Sequence, residues 1–323
     1  MFLARRLLLA GELAPAVAEH LRDCAREPDR SDGTGPARLP ELDLRVLDAA
    51  ATADDLAWAD SFSGVTAPPG LTAAGIGWVH TMAAGVDGMV AALTGSDVVL
   101  TRTIGSMPRA IGTYVLAHVL PELTHVAEYR AQQDRHEWRR LEPARVERRR
   151  AVVLGTGEIG AGVAEVLRAV GYSVTGLSRS GRHRPGFDRV VALADGATDL
   201  AAADLLILAL PLTESTRGLV GPGVLGSLRG AVVVNVGRGA TLDPGALRAA
   251  LDAGSVRRAV LDVVETEPLP ADDWRWDHPG VTLTPHVSGP TEAVDIAEEL
   301  LAVRADLAAG RRPSTTVDLG RGY

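Results

Sequence analysis

The sequence predicts an α/β protein of two parallel-sheet domains, and three observations carry that expectation. Short apolar runs of strand character alternate with helical stripes along the chain, the pattern of βαβ units. A length of 323 residues fits about two domains of ordinary size. An apolar fraction of 46% is enough to fill two cores.

Residues 6–10 (RLLLA) read as a strand, 14–26 as a helix, 27–40 as a polar loop and 42–47 as a second strand. A short helix over 54–60 and the Pro68-Pro69-Gly70 turn follow, and 77–79 lead into the small-residue loop 81–87. Residues 111–130 have the pattern of one long helix. The stretch 136–150 (HEWRRLEPARVERRR) then holds six arginines with three glutamates interleaved, which marks a solvated connector rather than an anion-binding patch. Trp138 within it either reaches a pocket or packs the connector.

All 33 residues counted as Lys+Arg are arginine. Without an amine side chain the protein cannot run Schiff-base or pyridoxal-phosphate chemistry, nor hold phosphate through a Walker-type lysine. A formal net charge of −8 disfavours nucleic acid as a partner, because phosphate-backbone binding needs a basic face. Cys24 is the single cysteine, so neither an intrachain disulfide nor a cysteine zinc cluster is expected. His118 and His125 stand seven apart on one expected helix face, but no further ligand cluster supports a metal. Gly11 and Glu12 interrupt the apolar start before a signal-peptide core is complete, and no apolar run approaches the roughly 18 residues of a membrane span. A cytoplasmic protein without a membrane partner is expected.

The most informative stretch is 151–180. An apolar strand over 151–154 meets Gly155-Thr156-Gly157-Glu158-Ile159-Gly160, and Val163, Val166, Leu167 and Val170 supply the stripe of the helix that follows. Set between strand and helix, G-x-G-x-x-G is the dinucleotide-binding fingerprint of a Rossmann-like domain. Its first glycine permits the tight turn, its second lets backbone N–H groups approach a pyrophosphate, and its third lets helix and strand pack closely. The carboxylate that usually holds the adenosine ribose is absent: none occurs between Glu165 and Asp188. Ser178-Arg179-Ser180 ends the second strand instead. A guanidinium flanked by hydroxyls suits a 2′-phosphate, so NADP(H) is expected over NAD(H), which stays open as the alternative.

Further apolar strands run into polar loops, as the carboxyl edge of a doubly wound sheet requires. Residues 204–210 lead into Pro211 and Thr216, 231–234 into Val236-Gly237-Arg238, 258–261 into Asp262 and Glu267, and 281–283 into His286 and Ser288. An arginine, a glutamate and a histidine thus reach one rim.

With LGTGEIG, LPLTESTRGLV, VNVGRGATLD, LDVVETEPLP and TPHVSG in this order, together with MAAGVDG and the ending VDLGRGY, the chain resembles the D-isomer-specific 2-hydroxyacid dehydrogenases over nearly its whole length. Within that family it is most similar to NADPH-dependent glyoxylate/hydroxypyruvate reductases. The resemblance implies two Rossmann-like parallel-sheet domains with an intervening active-site cleft. Residues 1–106 plus 289–323 would form a flavodoxin-like substrate-binding domain, and 107–288 the NAD(P)-binding domain. It implies that Arg238 grips the substrate carboxylate, that His286 is the general acid–base, and that Glu267 orients the imidazole and favours its charged form. Met82, Ala83, Ala84 and Gly85 would complete the carboxylate site. Leu210, Pro211, Thr216, Val236, Gly237, Asp262 and Ser288 would join the fingerprint and the Ser-Arg-Ser turn around the cofactor.

The reaction so implied is reversible hydride transfer from NADPH to C2 of a small 2-oxoacid, in a homodimer formed through the cofactor domain. A nucleotide-dependent sensor without turnover, like the family's corepressors, is the contrasting reading. The missing lysine argues against phosphite dehydrogenase chemistry, and Glu267 against the glutamine-paired histidine of formate dehydrogenases. Two departures from the family pattern stand out: Thr113 where many relatives have glutamate, and Asp272-Asp273-Trp274-Arg275-Trp276 in place of a Pro-Leu-Trp loop.

Overall fold

A computed structural model of the protein describes residues 3–26 and 42–323; the loop expected at 27–40 lies outside the described residues. The chain divides into two compact units, residues 1–106 with 291–323, and residues 107–290.

In the first unit the described strands are β1 (Arg6–Ala10), β2 (Asp43–Leu47), β3 (Ser61–Gly64), β4 (Trp78–Thr81) and β5 (Val99–Arg102). They form a parallel sheet in the order β2-β1-β3-β4-β5, with helices α1 (Ala14–Arg26), α2 (Ala53–Trp58) and α3 (Asp87–Leu93) between them. Strand periodicity assigns the core: Leu7 and Leu9 of β1 pack with Val17 and Leu21 of α1, while Leu8 packs with Leu56, Phe62 and Met89 on the opposite face. The Asp60 carboxylate staples the start of the sheet by accepting from the Arg5 and Arg6 amides at 3.1 Å each. β3 was not legible in the sequence, because Ser-Phe-Ser-Gly offers a single large apolar side chain. The strand forms because it is buried on both faces between β1 and β4. Its neighbour β4 carries the fully buried His80, whose Nδ1 and Nε2 meet the hydroxyls of Thr101 and Thr103 at 2.8 and 2.9 Å. Burial lowers the His80 pKa to about 3.

The second unit opens with α4 (Met107–Leu123) and α5 (Val126–Asp134). The single helix expected over 111–130 is therefore two. His125 between them adopts a left-handed φ of 57° and bonds the Glu142 carbonyl through Nε2 at 2.9 Å, so His118 and His125 do not share a helix face. The sheet follows with β6 (Arg150–Leu154), α6 (Glu158–Ala169), β7 (Ser173–Ser178), β8 (Arg189–Ala192), α7 (Ala197–Ala201), β9 (Leu205–Leu208), α8 (Pro222–Ser227), β10 (Ala231–Asn235), α9 (Pro244–Asp252), β11 (Val256–Leu261) and β12 (Val281–Leu283). Its parallel order is β12-β11-β10-β9-β6-β7-β8, and the direction of winding reverses between β6 and β9. That reversal is the switch point at which doubly wound sheets bind ligands. Val152, Leu154, Leu206, Leu208, Val233 and Leu261 fill the core beneath it.

Gly289 lies so close to Met107 and Ile111 that a Cβ would stand 2.8 Å from Met107 Cγ. This contact keeps residues 289 and 290 in the second unit, two positions beyond the expected boundary. The last helix, α10 (Ala293–Ala308), packs Ile296 and Leu300 into the first unit's core. Among the described residues no helix is long and apolar enough to cross a membrane, and no group of three metal-ligand side chains assembles.

Candidate active site

The carboxyl edge of the second sheet is built by extending the strand ladder one residue into each loop. Gly155 N donates to Leu177 O, Ala209 N to Leu154 O, Val236 N to Leu208 O, Asp262 N to Asn235 O and Thr284 N to Leu261 O, all at 2.9 to 3.1 Å. Every residue read as functional in this unit follows one of these strand ends.

Gly155 turns the chain with a φ of +108°, a conformation closed to most side chains, and a Cβ there would stand 2.5 Å from the Ala209 carbonyl oxygen. A Cβ on Gly160 would collide with the Gly155 carbonyl, so the third glycine closes helix onto turn. Gly157 differs: at the N-cap of α6 it has nothing within 4 Å of where a Cβ would lie. Open space at a helix N-terminus, with the amides of the first turn facing it, fits a pyrophosphate approaching the backbone. Thr156 and Ile159 are half-buried at the same turn, and Glu158 pairs with Arg184 at 2.6 Å.

Ser178-Arg179-Ser180 follows β7 as expected, in a turn held by Gly181 N donating to Ser178 Oγ at 3.1 Å and Arg182 Nε to Ser180 Oγ at 3.3 Å. Arg179 is exposed, and Arg182 and Arg184 follow within five residues, the latter paired with Glu158. The donor set of guanidinium, hydroxyl and amide fits a phosphate monoester and offers no carboxylate to a ribose. After β9, Leu210 and Pro211 are half-buried, and the Thr216 hydroxyl is used within the loop, donating to Pro211 O at 2.7 Å and accepting from Thr213 N at 2.8 Å.

The loop after β10 shows what the sequence reading missed. Asn235 accepts from Gly237 N at 3.1 Å and donates to the Arg238 carbonyl at 3.3 Å, and the Thr241 hydroxyl donates to that carbonyl at 2.7 Å. These two side chains fix the backbone that aims Arg238, whose Nη1 donates to Gly237 O at 2.8 Å. The available signal was the polar pair flanking V-G-R-G-A. Val236 and Gly237 are buried, and a Cβ on Gly237 would stand 2.8 Å from Leu210 N. A Cβ on Gly239 would collide with the Val264 carbonyl, so the arginine loop lies directly on the loop that carries Glu267.

Glu267 and His286 meet. Glu267 Oε2 accepts from His286 Nδ1 at 2.8 Å, and Oε1 accepts from Val264 N at 3.1 Å. A carboxylate can only accept, so Nδ1 carries the proton toward Glu267 and Nε2 remains for a substrate. His286 holds a left-handed φ of 55°, fixed by its amide donating to the Asp262 and Thr284 carbonyls at 2.9 and 3.0 Å. Behind it, Asp262 is 2% exposed and fully engaged: Oδ1 accepts from Thr284 Oγ1 and Val287 N at 2.7 and 2.8 Å, and Oδ2 from Ser288 N at 2.9 Å. Burial opposes its ionisation, but the hydrogen bonds from Ser288, Thr284 and Val287 outweigh burial and hold the carboxyl below the usual range. Tyr114 of α4 closes the chain, with its hydroxyl 2.6 Å from Thr284 Oγ1; burial pushes it up to about 12. Asp262 therefore serves first as the anchor of the histidine loop.

In the first unit, the loop following β4 buries Met82 and leaves Ala83, Ala84 and Gly85 half-buried. Met82 N donates to Gly64 O at 3.2 Å, and Arg102 Nη1 donates to Ala84 O at 3.3 Å. Trp138 of the second unit is fully exposed, so it does not pack the connector.

Comparison with known proteins agrees with this construction. Residues 116–288 match the model of the D-isomer specific 2-hydroxyacid dehydrogenase, NAD binding domain. Glyoxylate/hydroxypyruvate reductase A of Serratia proteamaculans is 36% identical over 222 residues, covering 67% of this chain and 70% of that protein. The D-isomer specific 2-hydroxyacid dehydrogenase of Xanthobacter autotrophicus Py2, solved with NADPH and MES, superposes with a TM-score of 0.85 at 28% identity over 99% of this chain and 100% of that one. The NADPH-dependent glyoxylate/hydroxypyruvate reductase of Sinorhizobium meliloti, solved with NADP and sulfate, superposes with a TM-score of 0.81 at 26% identity over 99% of this chain and 100% of that one. A dinucleotide fingerprint at the switch point, a histidine–glutamate pair on the same rim and these matches together place the chain in the D-isomer specific 2-hydroxyacid dehydrogenase family, as an NAD(P)-dependent oxidoreductase.

Proposed function

We propose that the protein reduces small 2-oxoacids of the glyoxylate and hydroxypyruvate class to D-2-hydroxyacids, reversibly, with NADPH as the preferred donor. The observation that carries the reading is the 2.8 Å contact between His286 and Glu267, one loop away from Arg238. When bound, the nicotinamide cofactor supplies the hydride for C2 of the substrate. Arg238 binds the substrate carboxylate through its guanidinium fork. His286 Nε2 delivers a proton to the ketone oxygen as negative charge builds there, and takes it back in the reverse direction. Glu267 holds the imidazole in the tautomer that leaves Nε2 facing the substrate and stabilises the ring while it carries both protons.

The residues that would hold the cofactor are the amides around Gly155–Gly160, the side chains of Ser178, Arg179 and Ser180, and the loops at Leu210–Pro211, Val236–Gly237, Asp262 and Ser288. Arg179 is the group that favours NADP(H), a preference also supported by relatives solved with NADPH and with NADP. A cytoplasmic location belongs to the same reading, as does a homodimer through the cofactor domain, the latter supported by the exposed apolar side chains Val126, Tyr129 and Trp138.

Steady-state reduction of a 2-oxoacid panel with NADPH and with NADH tests the substrate and cofactor together, and His286→Ala tests the mechanism. Turnover of glyoxylate or hydroxypyruvate with NADPH, abolished in His286→Ala, is expected. A variant that keeps wild-type turnover would refute the acid–base assignment, and equal use of NADH would refute the cofactor preference.

A further inference from the structure

We propose that Arg275 is a positioning residue for the Glu267–His286 pair, acting through Glu265 and Asp273. The inference rests on the acid–base reading given under Proposed function.

Arg275 lies in the loop Asp272-Asp273-Trp274-Arg275-Trp276, and it is 5% exposed. Its guanidinium is filled by two carboxylates. Nη1 and Nη2 donate to Glu265 Oε2 and Oε1 at 2.7 and 2.9 Å, while Nε and Nη2 donate to Asp273 Oδ1 and Oδ2 at 2.8 Å each. Each pair is bidentate, the geometry in which arginine fixes orientation as well as charge. The hydrogen bond to Asp273 first, and then Glu265, hold Arg275 charged against its burial. Burial opposes ionisation of Glu265 too, and the Arg275 bonds outweigh it.

The clamp acts on the turn that aims Glu267. Glu265 is two residues before Glu267, and Val264 N donates to Glu267 Oε1 at 3.1 Å across the same turn. One side of this turn is held by the close backbone approach of Gly239 to Val264. Arg275 holds the other side. The return of the loop is also held by a main-chain acceptor, with Trp276 Nε1 donating to Pro270 O at 2.9 Å and Asp273 N to the same carbonyl at 3.2 Å. Without the guanidinium, the carboxylates of Glu265 and Asp273 would repel each other, and the 264–267 turn would lose its fixed orientation. An acid–base pair is sensitive to displacements well below the length of a hydrogen bond, so the turn's orientation is a catalytic variable.

The test uses the full-length enzyme with NADPH and glyoxylate. Arg275→Met is expected to lower kcat about 10-fold or more, to raise the solvent deuterium isotope effect on kcat, and to leave the KM for NADPH unchanged, because the fingerprint loop is untouched. Arg275→Lys, which can pair with one carboxylate but not fork to two, is expected to recover part of kcat. Should Arg275→Met fail to fold, Glu265→Gln preserves the shape of the clamp, removes one of its charges, and carries the same readouts with a smaller loss. A folded Arg275→Met or Glu265→Gln variant with wild-type kcat and isotope effect, whatever its melting temperature, overturns the proposal and leaves Arg275 a loop staple. His286→Ala measured in parallel separates the two readings. If His286→Ala is inactive while the clamp variants match wild type, the positioning role alone fails; if His286→Ala is active, the acid–base reading fails.

Discussion

His286 Nδ1 and Glu267 Oε2 stand 2.8 Å apart on loops that leave different strands, and both side chains are partly open to solvent. The bond leaves Nε2 as the ring atom that can serve a substrate. Glu267→Gln preserves a hydrogen-bond acceptor and removes its charge, so it tests the electrostatic share of the pair. Reduction of glyoxylate is expected to slow about 100-fold in kcat with little change in the KM for NADPH. Steady-state kinetics with both substrates varied checks this.

Arg179 is proposed to hold the 2′-phosphate, the only group that separates NADPH from NADH. Arg179→Ala is expected to raise the KM for NADPH about 10- to 100-fold, the worth of a charge-assisted contact, and to leave that for NADH within about 2-fold. Parallel titration of the two cofactors gives the answer, and an equal loss for both would move the phosphate site elsewhere.

Two glycines separate folding from binding. Gly157 faces open space in an ordinary extended conformation, with φ −71°, so Gly157→Ala is expected to change stability by no more than about 0.5 kcal/mol while weakening NADPH binding at least about 10-fold. Gly239 abuts the Val264 backbone, so Gly239→Ala is expected to displace the Arg238 and Glu267 loops together and to lower both melting temperature and kcat. Thermal unfolding and cofactor titration on the two variants make the contrast.

Acid stability follows from His80, whose pKa burial lowers to about 3. The unfolded chain takes up this proton near pH 6.5 and the folded chain does not until about pH 3, so the unfolded state binds more protons across that window. Stability is therefore fully retained above pH 6.5 and falls as pH drops, by up to about 1.4 kcal/mol per pH unit from this group. His80→Gln is expected to flatten that slope between pH 7 and 5, as read by denaturant unfolding at each pH.

The sequence announced the second sheet more fully than the first. β6 and β10 are continuous apolar runs with glycine or polar residues at their ends, and the loops after β10, β11 and β12 name Arg238, Glu267 and His286 by their order. β3 escaped because two of its four residues are serines, and the break at His125 escaped because the hydrogen bond that His125 makes there reaches a carbonyl 17 residues away. Tyr114 and Thr284 were invisible as site residues for the same reason. Each acts on a neighbour supplied by another loop or helix, and no local period reports such a partner.

The close backbone approaches along the rim have a practical consequence for exchanging parts between relatives. Gly155 sits against Ala209, Gly237 against Leu210, and Gly239 against Val264, so adjoining loops share one surface with no side chain between them. A loop transplanted singly from another enzyme would meet its neighbour at main-chain distance and have no rotamer with which to adjust. Segments 235–241 and 262–267 are therefore one interchangeable cassette, and altered substrate range is reached more readily through the side chains of that cassette than through its length.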